Sequence, residues 1–199
     1  MRTIHMILAV VALALGFAPL ANAGMLLEPY LGYGSTPVNY DLKASPGDSR
    51  DLGTGTVMGG RVAYTAPLVF VGADYSMQSL AMKNTVAASG TTSADYNATA
   101  STLYGIVGVN VPMLQAYAGY GLMDQFTSKP STGDTTFSGN AYKVGLGYTG
   151  LPVMSLNLEY QMHSFSKVKD SSGEQDVSVL YNKLNSNALM LSVSAPFHF

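Results

Sequence analysis

The hydrophobic pattern of this chain has a period of two. In "LNLEYQMH", residues 156–163, apolar Leu156, Leu158, Tyr160 and Met162 alternate with polar Asn157, Glu159, Gln161 and His163. That spacing marks a β-strand with two unlike faces, without saying which face meets water. Eight segments read as strands: 26–34, 53–64, 68–78, 99–111, 113–126, 137–149, 153–165 and 188–199. Each has about 9–13 residues, close to the 9–11 of a tilted membrane strand and longer than the usual 5–6. The links alternate too. Residues 65–67, Pro112 and residues 150–152 are short connections; 35–52, 79–98, 127–136 and 166–187 are long and polar. An up-and-down order then puts every tight turn at one end and every long loop at the other.

The charged residues sort the faces. Glu28, Arg61, Asp74, Lys143 and Glu159 share their faces with Gly, Ser, Asn and Tyr. The opposite faces carry Leu, Val, Met and Tyr without a charge, such as Leu27, Leu31, Val62, Val71, Val144 and Leu146. A water-facing sheet would hold more Lys, Glu and Thr. Glycine suits a narrow interior, because eight strands leave room for little beyond side chains. The charges therefore belong inside and the apolar face outside. A turn at Ala66-Pro67 brings Arg61 and Asp74 opposite each other or one step apart, and Glu28 lies on the adjoining strand. A turn centred on Leu151 sets Lys143 opposite Glu159. Buried ions are costly unless paired, so these five residues are expected to form an interior charge network. Tyr64, Tyr148, Phe197 and Phe199 at the turn end, and Tyr33, Tyr75 and Tyr120 at the loop end, are candidate interfacial girdles.

Composition narrows the class. Charged residues are 11% of the chain, against a typical 25% or so. Past the N-terminus no apolar run approaches the roughly 18 residues of a membrane helix. Residues 1–23 read as a cleaved secretory signal: Arg2 and His5, the apolar run 6–17, then Ala21-Asn22-Ala23. Residues 24–199 are then one mature domain. The absence of cysteine excludes disulfides, thiolate metal sites and a lipid-modified cysteine. A net charge of −2 without a basic patch gives no nucleic-acid footprint.

The segments "EPYLGYG" (28–34), "GGRVAY" (59–64), "VGADYS" (71–76), "YAGYGL" (117–122), "KVGLGY" (143–148) and the terminal "SVSAPFHF" carry a family pattern. The mature chain resembles the small eight-stranded outer-membrane β-barrels, the OmpA-like and OmpX-like group. The resemblance implies an all-β, eight-stranded antiparallel up-and-down transmembrane barrel in the bacterial outer membrane. It implies contact with outer-membrane lipid and lipopolysaccharide. It also implies recognition by the barrel-assembly machinery through a terminal signal, matched here by Leu191, Val193, Phe197 and Phe199.

Chemistry is harder to find. His163 and Ser164 point to opposite faces, and His198 sits in the terminal segment. No nucleophile, base and orienting group come together, so no catalysis is expected. Asp41, Asp48 and Asp51, and Asp170, Glu174 and Asp176, lack the spacing of a calcium loop, so no metal or cofactor is expected. The reading is a monomeric structural or surface-interaction barrel whose long loops meet an unidentified ligand. The alternatives are a narrow channel for small solutes and a soluble, exported, lipocalin-like binder with its faces reversed.

Overall fold

The computed structural model describes residues 24–86, 95–130 and 133–199, apart from the side chains of 45–46 and 84–86. The signal segment and much of link 79–98 lie outside them. The described chain forms β1 (Gly24–Leu42), β2 (Ser45–Thr65), β3 (Val69–Val86), β4 (Tyr96–Val111), β5 (Leu114–Lys129), β6 (Thr135–Tyr148) and β7 (Ser155–Asp170). A short β8 (Gly173–Asp176) and a one-turn α1 (Val177–Leu180) follow, then β9 (Tyr181–Ser194) and β10 (Phe197–His198). Neighbours in sequence pair antiparallel from β1 to β7, and β9 joins β7 to β1. The result is a closed eight-stranded up-and-down barrel.

Burial settles the faces. Glu28, Arg61, Asp74, Lys143 and Glu159 are at most 2% exposed, while outward Leu31 and Leu146 are 61% and 62% exposed. The lipocalin-like arrangement, with apolar side chains inside and polar ones out, is therefore excluded. Interior glycines make room for large neighbours: a Cβ on Gly145 would lie 2.2 Å from the Tyr117 ring, and one on Gly59 2.4 Å from the Tyr30 ring.

Three expectations need correction. The strands run well beyond the membrane belt. Link 35–52 is mostly strand, with only Lys43 and Ala44 between β1 and β2. Its alternation continues, burying Thr36 and Val38, and a polar strand extending into water needs no lipid thickness to limit it. The last segment is not one strand. β9 begins at Tyr181 and stops at Ser194, because Pro196 has no N–H to donate; Ala195 N still donates to Pro29 O at 3.0 Å, and β10 resumes beside β1. The β6–β7 turn centres on Pro152, since Tyr148 pairs Leu156; Lys143 therefore stands opposite Gln161, and Glu159 opposite Gly145.

The tight β4–β5 turn carries Pro112 followed by Met113 at φ 67°. Proline presets the first corner, and Met113 occupies a left-handed position that usually calls for glycine. On β5 the alternation breaks. The β5–β6 pairing lapses between Tyr120↔Tyr142 and Gln125↔Ser138. The β4–β5 and β6–β7 registers shift nearby, at Leu103/Tyr104 and Ser138/Gly139. Leu122 and Met123 both face outward, so Asp124 turns inward.

Candidate functional site

The five charged residues meet in mid-barrel. Arg61 on β2 stands opposite Glu28 on β1 and Asp74 on β3. Its Nε donates to Asp74 Oδ2 at 2.8 Å and its Nη1 to Glu28 Oε2 at 3.1 Å. Its Nη2 crosses the lumen to Glu159 on β7 and to the Tyr117 hydroxyl on β5. Lys143 on β6 lies 3.0 Å from both Asp74 Oδ2 and Glu159 Oε2. Despite the two-residue register shift, Lys143 reaches Glu159 because its four-carbon stem spans the offset. The sequence pointed to two neighbouring-strand groups; the structure merges them across the lumen.

Neutral residues complete the cluster. Tyr30 OH donates to Asp74 Oδ1 at 2.8 Å, and Tyr117 OH to Glu159 Oε1 at 2.6 Å. Ser194 Oγ donates to Glu28, and Asn157 Nδ2 to Ser194 Oγ at 2.8 Å. The Arg61 guanidinium lies 4.2 Å from the Tyr117 ring centroid, and Lys143 Nζ 4.3 Å from that of Tyr104. Such cation–π contacts add to the ion pairs in a water-poor interior. Tyr117 and Tyr104 escaped the sequence reading as network members. Their only signal was small residues on the facing strand, Gly145 opposite Tyr117 above all.

Toward the loop end the lumen stays filled. Gln161 Nε2 donates to Glu159 Oε2 at 3.3 Å, Gln78 Nε2 to Gln161 Oε1 at 3.2 Å, and Thr36 Oγ1 to Gln78 Oε1 at 3.0 Å. Above them an apolar plug packs Val38, Leu80, Met82, Phe126, Phe137 and Phe165. The three Phe ring centroids lie 5.9–6.4 Å apart. At the rim Tyr40 and Tyr96 donate to Asp51 at 3.3 and 2.7 Å. Burial, and then the bond to Asp51, push the Tyr96 hydroxyl well above its usual range. On the exposed β7–β8 hairpin Lys167 Nζ donates to Glu174 Oε1 at 2.7 Å; the bond, then the opposite charges, move the lysine up and the carboxyl down.

Charge is confined to these two levels. Among the described residues every Lys, Arg, Asp and Glu lies in the mid-barrel cluster or toward the loop end, and the turns after β2, β4 and β6 carry none. Leu191 and Val193 face outward on β9, and Phe197 and Phe199 are half or more exposed at the turn end. Phe199 closes the seam: its N donates to Met25 O at 3.0 Å, and its O accepts from Met25 N at 2.9 Å. Tyr33, Tyr64, Tyr75, Tyr120 and Tyr148 all face outward.

Among the described residues, no nucleophile, base and orienting group come together around His163 or His198. His163 Nδ1 lies 3.0 Å from Asp124 Oδ1 and its ring stacks on Phe165, while Ser164 faces the opposite side. His198 is exposed beside β1. Among the described residues no three His, Asp or Glu side chains are placed to hold a metal ion. Asp41 stands opposite Asp48 at the hairpin tip and accepts from Gly47 N at 2.8 Å and Asn182 Nδ2 at 3.0 Å.

Residues 7–197 match the model of the outer membrane protein beta-barrel domain. No curated protein matches the sequence. Among solved structures the chain is similar to Ail, the attachment invasion locus protein of Yersinia pestis, in complex with the heparin analogue sucrose octasulfate. That match has 13% identity and a TM-score of 0.55, and covers 87% of this chain and 99% of Ail. It is similar to OprG from Pseudomonas aeruginosa (16% identity, TM-score 0.52, 88% and 97% covered). It is also similar to Neisserial surface protein A (17%, 0.51, 85% and 97%). At these identities the likeness is one of fold.

Proposed function

The chain belongs to the outer membrane protein β-barrel domain family and lies in the bacterial outer membrane; from that premise we propose that it acts at the cell surface through its loop end, and is neither a pore nor an enzyme. One observation carries the reading. The lumen is filled at two levels, by the Arg61–Lys143 charge cluster in mid-barrel and by the Phe126–Phe137–Phe165 plug above it. What the fold presents to the outside is the β1–β2 hairpin, the β7–β8 hairpin with α1, and the remaining loops. In this reading the charge cluster is structural: Arg61 and Lys143 neutralise the buried carboxylates Glu28, Asp74 and Glu159. Residues 1–23 direct export, Leu191, Val193, Phe197 and Phe199 mark the chain for barrel assembly, and the mature protein works as a monomer.

The test is a shortened hairpin. Replacing residues 39–50 with a two-residue turn should leave a barrel that still shows heat-modifiable gel mobility. Binding of expressing cells to host-cell or matrix surfaces should fall to the level of cells lacking the protein. Undiminished adhesion by the shortened variant would remove the hairpin from the function.

A further inference from the structure

Three turns close the barrel at the end away from the loops: residues 66–68 after β2, 112–113 after β4 and 149–154 after β6. Turns that meet water are usually rich in Gly, Asn, Asp and Ser. These present Leu68, Met113, Leu151, Val153 and Met154 instead. Leu68, Met113, Val153 and the neighbouring Phe199 are between 60% and 79% exposed. Among the described residues no Lys, Arg, Asp or Glu lies at this end, and His198 is its one histidine. An exposed apolar surface of this kind marks a contact.

The backbone of the turns narrows what the contact is with. Each turn carries a proline, Pro67, Pro112 or Pro152, which has no N–H to satisfy. Ala66 N donates to Val69 O at 2.8 Å, within the first turn. Asn110 N donates to Leu68 O and Thr149 N to Met113 O, both at 2.9 Å, so the turns also bond their neighbours. Hydrocarbon demands such internal pairing, because it offers backbone groups no partner. The length of the belt points the same way. On β6 and β7 the outward pair Asn140↔Ser164 is polar, and the apolar pairs run from Tyr142↔Met162 to Tyr148↔Leu156. Six residues separate those two pairs, which is about 15 Å at the tilt of membrane strands, against an apolar band of about 25 Å. The loop side turns polar at once, so the missing apolar surface has to come from the turns.

We propose that the turn end is immersed: the three turns and Phe199 sit among the acyl chains of the leaflet on that side and do not project into water. The contact continues the lipid-facing belt of Leu114, Leu146 and Leu156 without a break. It is independent of the loop reading, since it uses neither the β1–β2 hairpin nor α1.

The chain has no cysteine, so a single-cysteine variant takes a nitroxide label at one place. Met113→Cys and Val153→Cys are labelled and refolded in phosphatidylcholine vesicles. Leu146→Cys in mid-belt and Ser172→Cys on the β7–β8 hairpin are the references. Electron paramagnetic resonance reads collisions with oxygen, which concentrates in hydrocarbon, and with a water-soluble nickel chelate. The oxygen-to-nickel ratio at positions 113 and 153 should match that at 146 and exceed that at 172 severalfold. A ratio like that at 172 overturns the proposal. Shielding from both reagents overturns it too, since it gives the surface to a protein; spectral broadening by a second label then identifies that protein as another copy of the chain. The double variant Met113→Lys/Val153→Lys should lower the urea midpoint of unfolding in dioleoyl vesicles. The loss should be much smaller in dilauroyl vesicles, whose thinner hydrocarbon leaves the turns at the water boundary. Equal losses in the two lipids overturn the proposal as well.

Discussion

Arg61 bonds three carboxylates from three strands, and its removal leaves Glu28, Asp74 and Glu159 with, among the described residues, only Lys143 as a nearby cation. Breaking a buried ion cluster from one side costs more than the cluster itself contributes, because the surviving charges stay buried. Arg61→Met should therefore destabilise the barrel by about 3–5 kcal/mol, read from urea unfolding in lipid vesicles. Gly145 gives a steric test. A Cβ there meets the Tyr117 ring at 2.2 Å, so Gly145→Ala should cost roughly 1–3 kcal/mol. The Gly145→Ala/Tyr117→Ala double variant should lose less than the two single losses summed, measured in the same unfolding assay. At this scale the sequence made neighbours legible and distant partners not. Turn closure places Arg61 beside Asp74, because strand pairing is local. Arg61 reaching Glu159 depends on the lumen's width, which no pairwise pattern encodes.

The strands were legible as elements wherever lipid enforces alternation. Their ends were not. Membrane thickness limits only the apolar belt, so reading a strand's end from its last outward apolar residue stops β1 at residue 34, eight short of Leu42. On β5 the two consecutive outward residues Leu122 and Met123 reverse the phase, and that hid Asp124 from the face assignment. A bulge of this kind is one extra residue against a partner strand, visible only once the partner's register is known. At the C-terminus β10 and Phe199 pair with the start of β1 after the gap at Pro196. Deleting residues 197–199 should lower the yield of heat-modifiable barrel in cells severalfold. Refolding of the purified variant in detergent should proceed close to normal. Equal loss in both settings would assign these residues to barrel stability alone.

For the molecule as a whole, closure of eight strands leaves a lumen that side chains fill. Purified protein in planar bilayers should show no stable discrete conductance steps, and replacing residues 39–50 with a two-residue turn should not create them, because the mid-barrel cluster of Glu28, Arg61, Asp74, Lys143 and Glu159 remains. Steady openings would favour the channel reading. The confinement of charge to the middle and the loop end bears on how the barrel reaches its place. With the loop end outside, as proposed, a barrel inserted from the periplasm must carry its charged hairpin tips through hydrocarbon, whereas the turns stay on the side of arrival. A lysine carried across costs about 2–4 kcal/mol at the bilayer midplane, and a carboxylate less. In that orientation the kinetic barrier to insertion sits with the charged hairpin tips and not with the uncharged turn end.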